Sequence, residues 1–340
     1  MKQVAVPEWT NDAEYQKLVG IVKGEGFLKK TPLHYVIFSI VIFGGLGLSL
    51  YFLTLTNNPW LVALIALLAA FPRTWSGYLG HDIAHGAVFS SKEFTEAGTL
   101  LIWPLVVGIS GKRWQSKHNT HHDHVNCVTC DPDLYFPAFF SQKQWIKKNF
   151  IQKFSPDFLV RFQHIYFFLL FPFLIVSFLI ETVLYLFSKP FTTDKLIEGI
   201  FLATHYIVVY SFVFNALGIV NGLIFFVVHA MATGTMLSLA FAPNHKGQAM
   251  YDCTETFTWK HQVIATRNLT PSPVTDFLYG GLNYQIEHHL FPYMSRFNLG
   301  KSRKTIRKFC LDSGLPYYET TPLESLQEIY KSLKVNKQLS

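Results

Sequence analysis

Charge is what this chain has least of. Asp, Glu, Lys and Arg together make up 15% of its 340 residues, against 50% hydrophobic residues, whereas a soluble globular protein carries about 25% charged residues. That deficit, with a mean hydropathy of +0.23, excludes an ordinary water-facing surface over the whole molecule. Cysteine is also scarce. The four residues Cys127, Cys130, Cys253 and Cys310 are too few for a disulfide framework in a chain of this length, and predict a reducing, cytoplasmic setting for the soluble parts. The stretch from Met1 to Lys30 is polar and mixed in charge, without a short apolar core and cleavage site, so no cleaved signal peptide is expected. There is no internal repeat, no low-complexity linker and no nucleic-acid motif. The net charge of +7 is therefore assigned to anionic lipid headgroups or an acidic partner, not to nucleic acid.

What is abundant is long apolar sequence. A helix crossing a bilayer core needs about 20 apolar residues, and five stretches approach that length: His34–Leu55, Trp60–Leu79, Ile165–Phe187, Gly199–Leu217 and Ile219–Ala242. A sixth, Thr99–Ile109, is too short to cross and reads as re-entrant or interfacial. Lys23, Lys29 and Lys30 precede the first span. Lys112, Arg113, Lys117, Lys143, Lys147, Lys148, Lys153 and Arg161 fill the middle loop, and Lys301, Arg303, Lys304, Arg307 and Lys308 lie near the C-terminus. Positive charge stays inside, so all three regions are expected on the cytoplasmic side, with Lys189 and Lys195 running weakly against this. An even number of the last three stretches must then cross, and one of the two after Gly199 is expected to be buried in protein or interfacial. His205 and His229 fall within these stretches, where an ionisable residue is a functional candidate by default, and read first as neutral histidines bonded inside the bundle or near the interface. Residues 1–33 read as a cytoplasmic segment and 34–340 as a single membrane domain. Two soluble helices close the chain, one capped by Asn298 and stopping at Gly314, the other started by Thr321, Pro322 and Glu324.

The 14 histidines are clustered. His81 and His85 are four apart, on one side of a helix; His118, His121 and His122 stand at i, i+3 and i+4; Gln285, His288 and His289 repeat that spacing with glutamine first. Imidazole is a neutral donor suited to iron, zinc, copper and nickel, and so many clustered nitrogens exceed one ion's needs and fit about two. Asp82, Asp123 and Glu287 sit beside the clusters, where a carboxylate fixes the tautomer of a ligand histidine. A zinc protease is a rival reading, but its His-Glu-x-x-His needs glutamate where this chain has Asp82. A zinc knuckle at Cys127 and Cys130 lacks a second well-spaced pair. A histidine-rich metal transporter or sensor would need ligands along the membrane path, whereas these clusters lie at the predicted cytoplasmic ends.

The clusters resemble the three histidine boxes of the membrane fatty acid desaturase superfamily, and Gln285-Ile-Glu-His288-His289-Leu-Phe-Pro292 resembles the third box of its front-end type. The similarity extends to Asp131-Pro132-Asp133, Asn283-Tyr284 and Arg296-Phe-Asn-Leu299. The resemblance implies an all-α integral membrane protein with about four transmembrane helices under a cytoplasmic helical cap that holds a histidine-ligated di-iron site. It implies His81, His85, His118, His121, His122, His245, His288 and His289 as ligands, with Asn244 beside His245. Gln285 takes the remaining ligand position, either binding metal through its amide or orienting a water. The implied reaction is oxygen-dependent desaturation of a fatty acyl chain carried on coenzyme A, acyl carrier protein or a lipid. O2 is co-substrate and no bound organic cofactor is expected; an acetylenase or hydroxylase uses the same boxes. Unlike many front-end members the chain has no His-Pro-Gly-Gly, so a separate ferredoxin or haem cytochrome is expected to supply electrons. Lys112, Arg113 and Lys117 are candidates for docking that donor or the acyl carrier, or for simple anchoring at the membrane surface.

Overall fold

The computed structural model describes residues 8–128, 130–134, 156–252 and 256–335. Lys143, Lys147, Lys148, Lys153 and Cys253 lie outside the described residues. The described backbone is helical apart from a short parallel pair, β1 (Asn268–Leu269) and β2 (Glu319–Thr320), and an isolated bridge between Cys127 and Tyr251. It divides into two compact units.

The membrane unit comprises Lys30–Ser116 and Phe171–Leu239. Its first two helices are apolar and long. A helix of 22 residues, Pro32–Leu53 (α2, after α1 at Ala13–Gly24), spans about 33 Å. Only 11% of its most apolar window is buried, and Leu33, Val36, Ile37 and Ile40 are exposed, the surface a lipid solvent requires. Helix α3 (Pro59–Ala84) starts where Asn58 accepts from the backbone N–H groups of Trp60 and Leu61, with Pro59 at the position that needs no donor. The short apolar run is helix α4 (Lys92–Ile102) continued by a π-helical turn, Trp103–Val107, which ends at Gly108 in a left-handed conformation (φ 81°). This irregular end leaves carbonyls that lipid cannot satisfy. Three side chains take them up: Arg73 Nη2 donates to Val107 O at 2.9 Å, His205 Nδ1 to Leu105 O at 2.8 Å and the Tyr206 hydroxyl to Gly108 O at 2.7 Å. His205 is thus structural, as its sequence context predicts, while Arg73 is an intramembrane cation that hydropathy concealed.

Helix α5 (Gly111–Asp123) carries the second histidine cluster. After α6 (Pro156–Leu169), a 3-10 turn at Phe171–Phe173 precedes α7 (Leu174–Phe187). The Ile165–Phe187 stretch is therefore interrupted, and α7 with 14 residues is short of the ~20 a span needs. By contrast α8 (Thr193–His245) consists of two helical arms that turn back at Gly218, whose φ of 71° and ψ of −179° no other residue adopts easily. Ring centroids of Tyr210 and Phe226 are 4.1 Å apart, where a straight helix would separate those positions by about 24 Å. Both arms of this hairpin are long. The break in the apolar stretches falls within Ile165–Phe187, where Pro172 stands in the turn between α6 and α7.

The second unit comprises Met1–Lys29, Lys117–Leu170 and Ala240–Ser340. Tyr15, Leu18 and Val22 of α1 enter its core beside Trp259, Ile286, Leu290, Phe291 and Ile306, and the Tyr15 hydroxyl donates to Leu290 O at 2.6 Å. The remaining helices are α9 (Trp259–Ile264), α10 (Pro273–Tyr279), α11 (Gln285–Leu290), α12 (Arg296–Asp312) and α13 (Pro322–Val335). Helix α12 ends at Gly314 (φ 73°), and the capping box is present, Thr321 Oγ1 accepting from Glu324 N and Glu324 Oε2 from Thr321 N. Asn298 is not the cap of α12. Ser295 precedes the helix, and Asn298 lies buried in its first turn, donating to Phe27 O and Lys29 O.

Candidate metal centre

In the second unit α5 ends, α8 ends and α11 begins so that imidazoles converge. The i, i+3, i+4 spacing puts His118, His121 and His122 on one side of α5; His245 is the last residue of α8; His288 and His289 are carried by α11. Ligand nitrogens of His118, His122 and His288 lie within 4.8 Å of one another, and so do those of His121, His245 and His289. His122 Nε2 is 3.1 Å from both His118 Nε2 and His288 Nε2. Nitrogens that share a metal at about 2.1 Å stand roughly 3.0–3.4 Å apart, so this spacing is that of neighbouring ligands. The two triads adjoin, with the His122 and His289 rings stacked at 4.2 Å.

The outer nitrogen of each ring decides which nitrogen faces the centre. His121 Nδ1 lies 2.9 Å from Asp131 Oδ2, and Asp131 also accepts from Asn126 N and Asp133 N. His245 Nδ1 points to Ala265 O at 3.4 Å and His289 Nδ1 to Gln262 Oε1 at 2.9 Å. Carboxylate, carbonyl and amide oxygens accept, so each Nδ1 carries the proton and each Nε2 offers a lone pair. Burial, reinforced by His121, holds the His245 imidazole well below its usual pKa and so keeps it neutral. Burial also lowers His121, but the Asp131 carboxylate outweighs it and the net shift is upward.

Gln285 is 5% exposed; its Nε2 is 3.1 Å from His245 Nε2, and its Oε1 is buried with no hydrogen-bond partner among the described residues. A buried acceptor without a donor costs about 1–3 kcal/mol, and a cation or a water on one removes that cost. With imidazole nitrogens in two triads, this donor set fits transition metals.

His81 and His85 belong to the membrane unit, at the end of α3, with ring centroids 4.7 Å apart. Asp82 lies beside His81 as expected, Oδ1 at 2.9 Å from Nδ1, and the Tyr35 hydroxyl donates to Asp82 Oδ2 at 2.6 Å. The other acidic neighbours differ from expectation. Glu287 does not orient a box histidine: buried and raised in pKa by burial, it accepts from Tyr317 OH at 2.5 Å and Asn268 Nδ2 at 2.7 Å. Asp123 has His124, outside the boxes, as its electrostatic neighbour. Asn244 donates to Ala240 O and Leu282 O. Lys112 pairs with Asp194, Arg113 with Glu181 and Lys117 with Asp133, at 3.2–3.5 Å, so all three are engaged within the chain. Cys127 and Cys130 are disulfide-bonded, so neither offers a thiolate for the zinc knuckle considered from the sequence. Gln262 and Ala265 were not legible as partners of the site, since nothing in their local sequence marks them.

Compared with known proteins, residues 58–321 match the family model described as fatty acid desaturase. The chain is similar to the Delta(5) fatty acid desaturase fat-4 of Caenorhabditis elegans, 27% identical over 87% of this chain and 67% of that protein. It is similar to Delta(6)-fatty-acid desaturase fat-3 of the same organism, 27% identical over 89% and 70%. The Delta(8)-fatty-acid desaturase of Borago officinalis is 25% identical over 94% and 74%. The chain thus spans about two thirds to three quarters of the length of these relatives.

Proposed function

The chain belongs to the fatty acid desaturase family, and from that premise we propose that it introduces a C=C bond into a fatty acyl chain at a centre of about two iron ions. The observation that carries this is the convergence of His118, His122, His288 and of His121, His245, His289 into two adjoining triads. We assign His81 and His85 to the same centre from their spacing and the family's box pattern. When bound, the metal supplies the oxygen-activating chemistry, with O2 as co-substrate and electrons from a separate ferredoxin or haem cytochrome.

The chain's own residues do the rest. Asp82, Asp131, Ala265 O and Gln262 hold the Nδ1 protons of His81, His121, His245 and His289, so that no ligand must change tautomer on loading. Gln285 presents an amide beside His245, as ligand or as the group that orients a water. The apolar helices seat the protein in lipid, where acyl chains reside, and positioning one carbon pair at the centre is the protein's share of the rate. The basic N-terminal and C-terminal regions favour a multi-pass arrangement with the site on the cytoplasmic side.

Fatty acid profiling of a host with a compatible electron donor, with and without the expressed gene, tests the reading. A new unsaturated acyl species that disappears in the His288→Ala variant is expected. An unchanged profile across substrates and donors, with inserted and iron-loaded protein, would refute it.

A further inference from the structure

Gln262 sits on α9, which carries no candidate ligand, yet its amide touches two histidine boxes. It is fully buried, its Nε2 donates to His122 O at 2.5 Å, and its Oε1 faces His289 Nδ1 at 2.9 Å. The geometry allows one assignment. A backbone carbonyl only accepts, so the amide NH2 must face His122 O. The amide oxygen is thereby turned to His289, where it only accepts, and Nδ1 of His289 must be the protonated nitrogen. Nε2 then holds the lone pair, in a residue whose ligand nitrogen is grouped with those of His121 and His245.

The element is built to keep this amide in place. Thr258 and His261 form a capping box at the start of α9, Trp259 is fully buried, and Thr266 Oγ1 donates to Gln262 O at 2.5 Å. Where Asp82 and Asp131 hold their histidines with a charge, Gln262 does so with a neutral group whose orientation is set by the second box itself. We propose that Gln262 is a positioning residue that locks His289 in the Nδ1–H tautomer and couples the backbone of the second box to the third. Its role toward iron rests on the functional reading above; its role toward the tautomer does not.

The test therefore begins without metal. Solid-state 15N NMR of full-length, histidine-labelled protein in lipid, with the His289 signal assigned by its loss in His289→Ala, reads the tautomer directly. Wild type and Gln262→Glu, which keeps an acceptor, should show Nδ1–H; Gln262→Met, which keeps the volume but removes both bonds, should shift toward Nε2–H. On loading, the Met variant should bind iron about 10–100-fold more weakly by chelator competition, with the Glu variant close to wild type. An Nε2–H tautomer in wild type, or Nδ1–H unchanged in the Met variant, would overturn the proposal. Should the Met variant fail to insert, the wild-type and Glu tautomers decide it. A correct tautomer pattern in protein that takes up no iron would leave the Gln262 lock standing and remove the di-iron reading instead.

Discussion

Tyr35 and Asp82, from the first two long helices of the membrane unit, are joined by a 2.6 Å hydrogen bond from the phenol to Oδ2, while Oδ1 faces His81 Nδ1. The carboxylate is thus held on one side by a side chain that sequence reading treats as one more aromatic of an apolar span. Replacing Tyr35 with Phe removes this bond to a charged group, worth about 1.5–3 kcal/mol. A lower thermal midpoint with iron largely retained is expected, whereas Asp82→Ala should lose iron. Equal iron loss in both variants would show that Tyr35 does more than brace Asp82.

Asp131 holds His121 and also organises its own loop through Asn126 N and Asp133 N. Asp131→Ala should weaken iron binding about 10–100-fold and reduce product in proportion. Asp131→Asn should recover part of it, since an amide oxygen still accepts from His121 Nδ1. Iron content measured against chelator concentration separates these outcomes, and full iron in the Ala variant would contradict the assigned role.

Arg267 is fully buried and donates to Pro243 O, to Lys246 O, to Ser325 O and to Glu328, so it closes the end of the helix that carries His245. Arg267→Met leaves buried carbonyls unsatisfied at about 1–3 kcal/mol each. A marked fall in thermal stability is expected, with Arg267→Lys intermediate because one cation cannot reach all four acceptors. A Met variant as stable as wild type would show that water replaces the guanidinium there.

The boxes were legible because helical spacing is local: i, i+3 and i+4 put His118, His121 and His122 on one side of α5 before any tertiary contact forms. The residues that orient them were not. Asp131 was noted only as part of a matching stretch, and Gln262 reaches His289 across 27 positions, a distance no periodicity encodes. Glu287 misled for the opposite reason: adjacency to His288 suggested contact, but on α11 its carboxylate turns to Asn268 and Tyr317. Hydropathy found each apolar stretch and divided the last two at Gly218, yet ran Ile165–Phe187 unbroken through Pro172. Asn298 shows the same limit, a good cap by type placed instead inside α12 by its bonds to Phe27 O and Lys29 O.

His205 separates structural from ligand histidines. Its Nδ1 is spent on Leu105 O, so His205→Ala should cost about 1–3 kcal/mol of stability and keep iron and product per inserted molecule. His121→Ala and His289→Ala should lose product while still inserting, because insertion depends on the apolar helices. Loss of iron in the His205 variant equal to that in the His289 variant would move His205 into the centre.

Elemental analysis of purified, active protein tests the central claim most directly. Two adjoining triads of imidazole predict about two iron ions per chain, falling together with activity when His288 is replaced by alanine. One zinc and no iron in active protein would contradict the account.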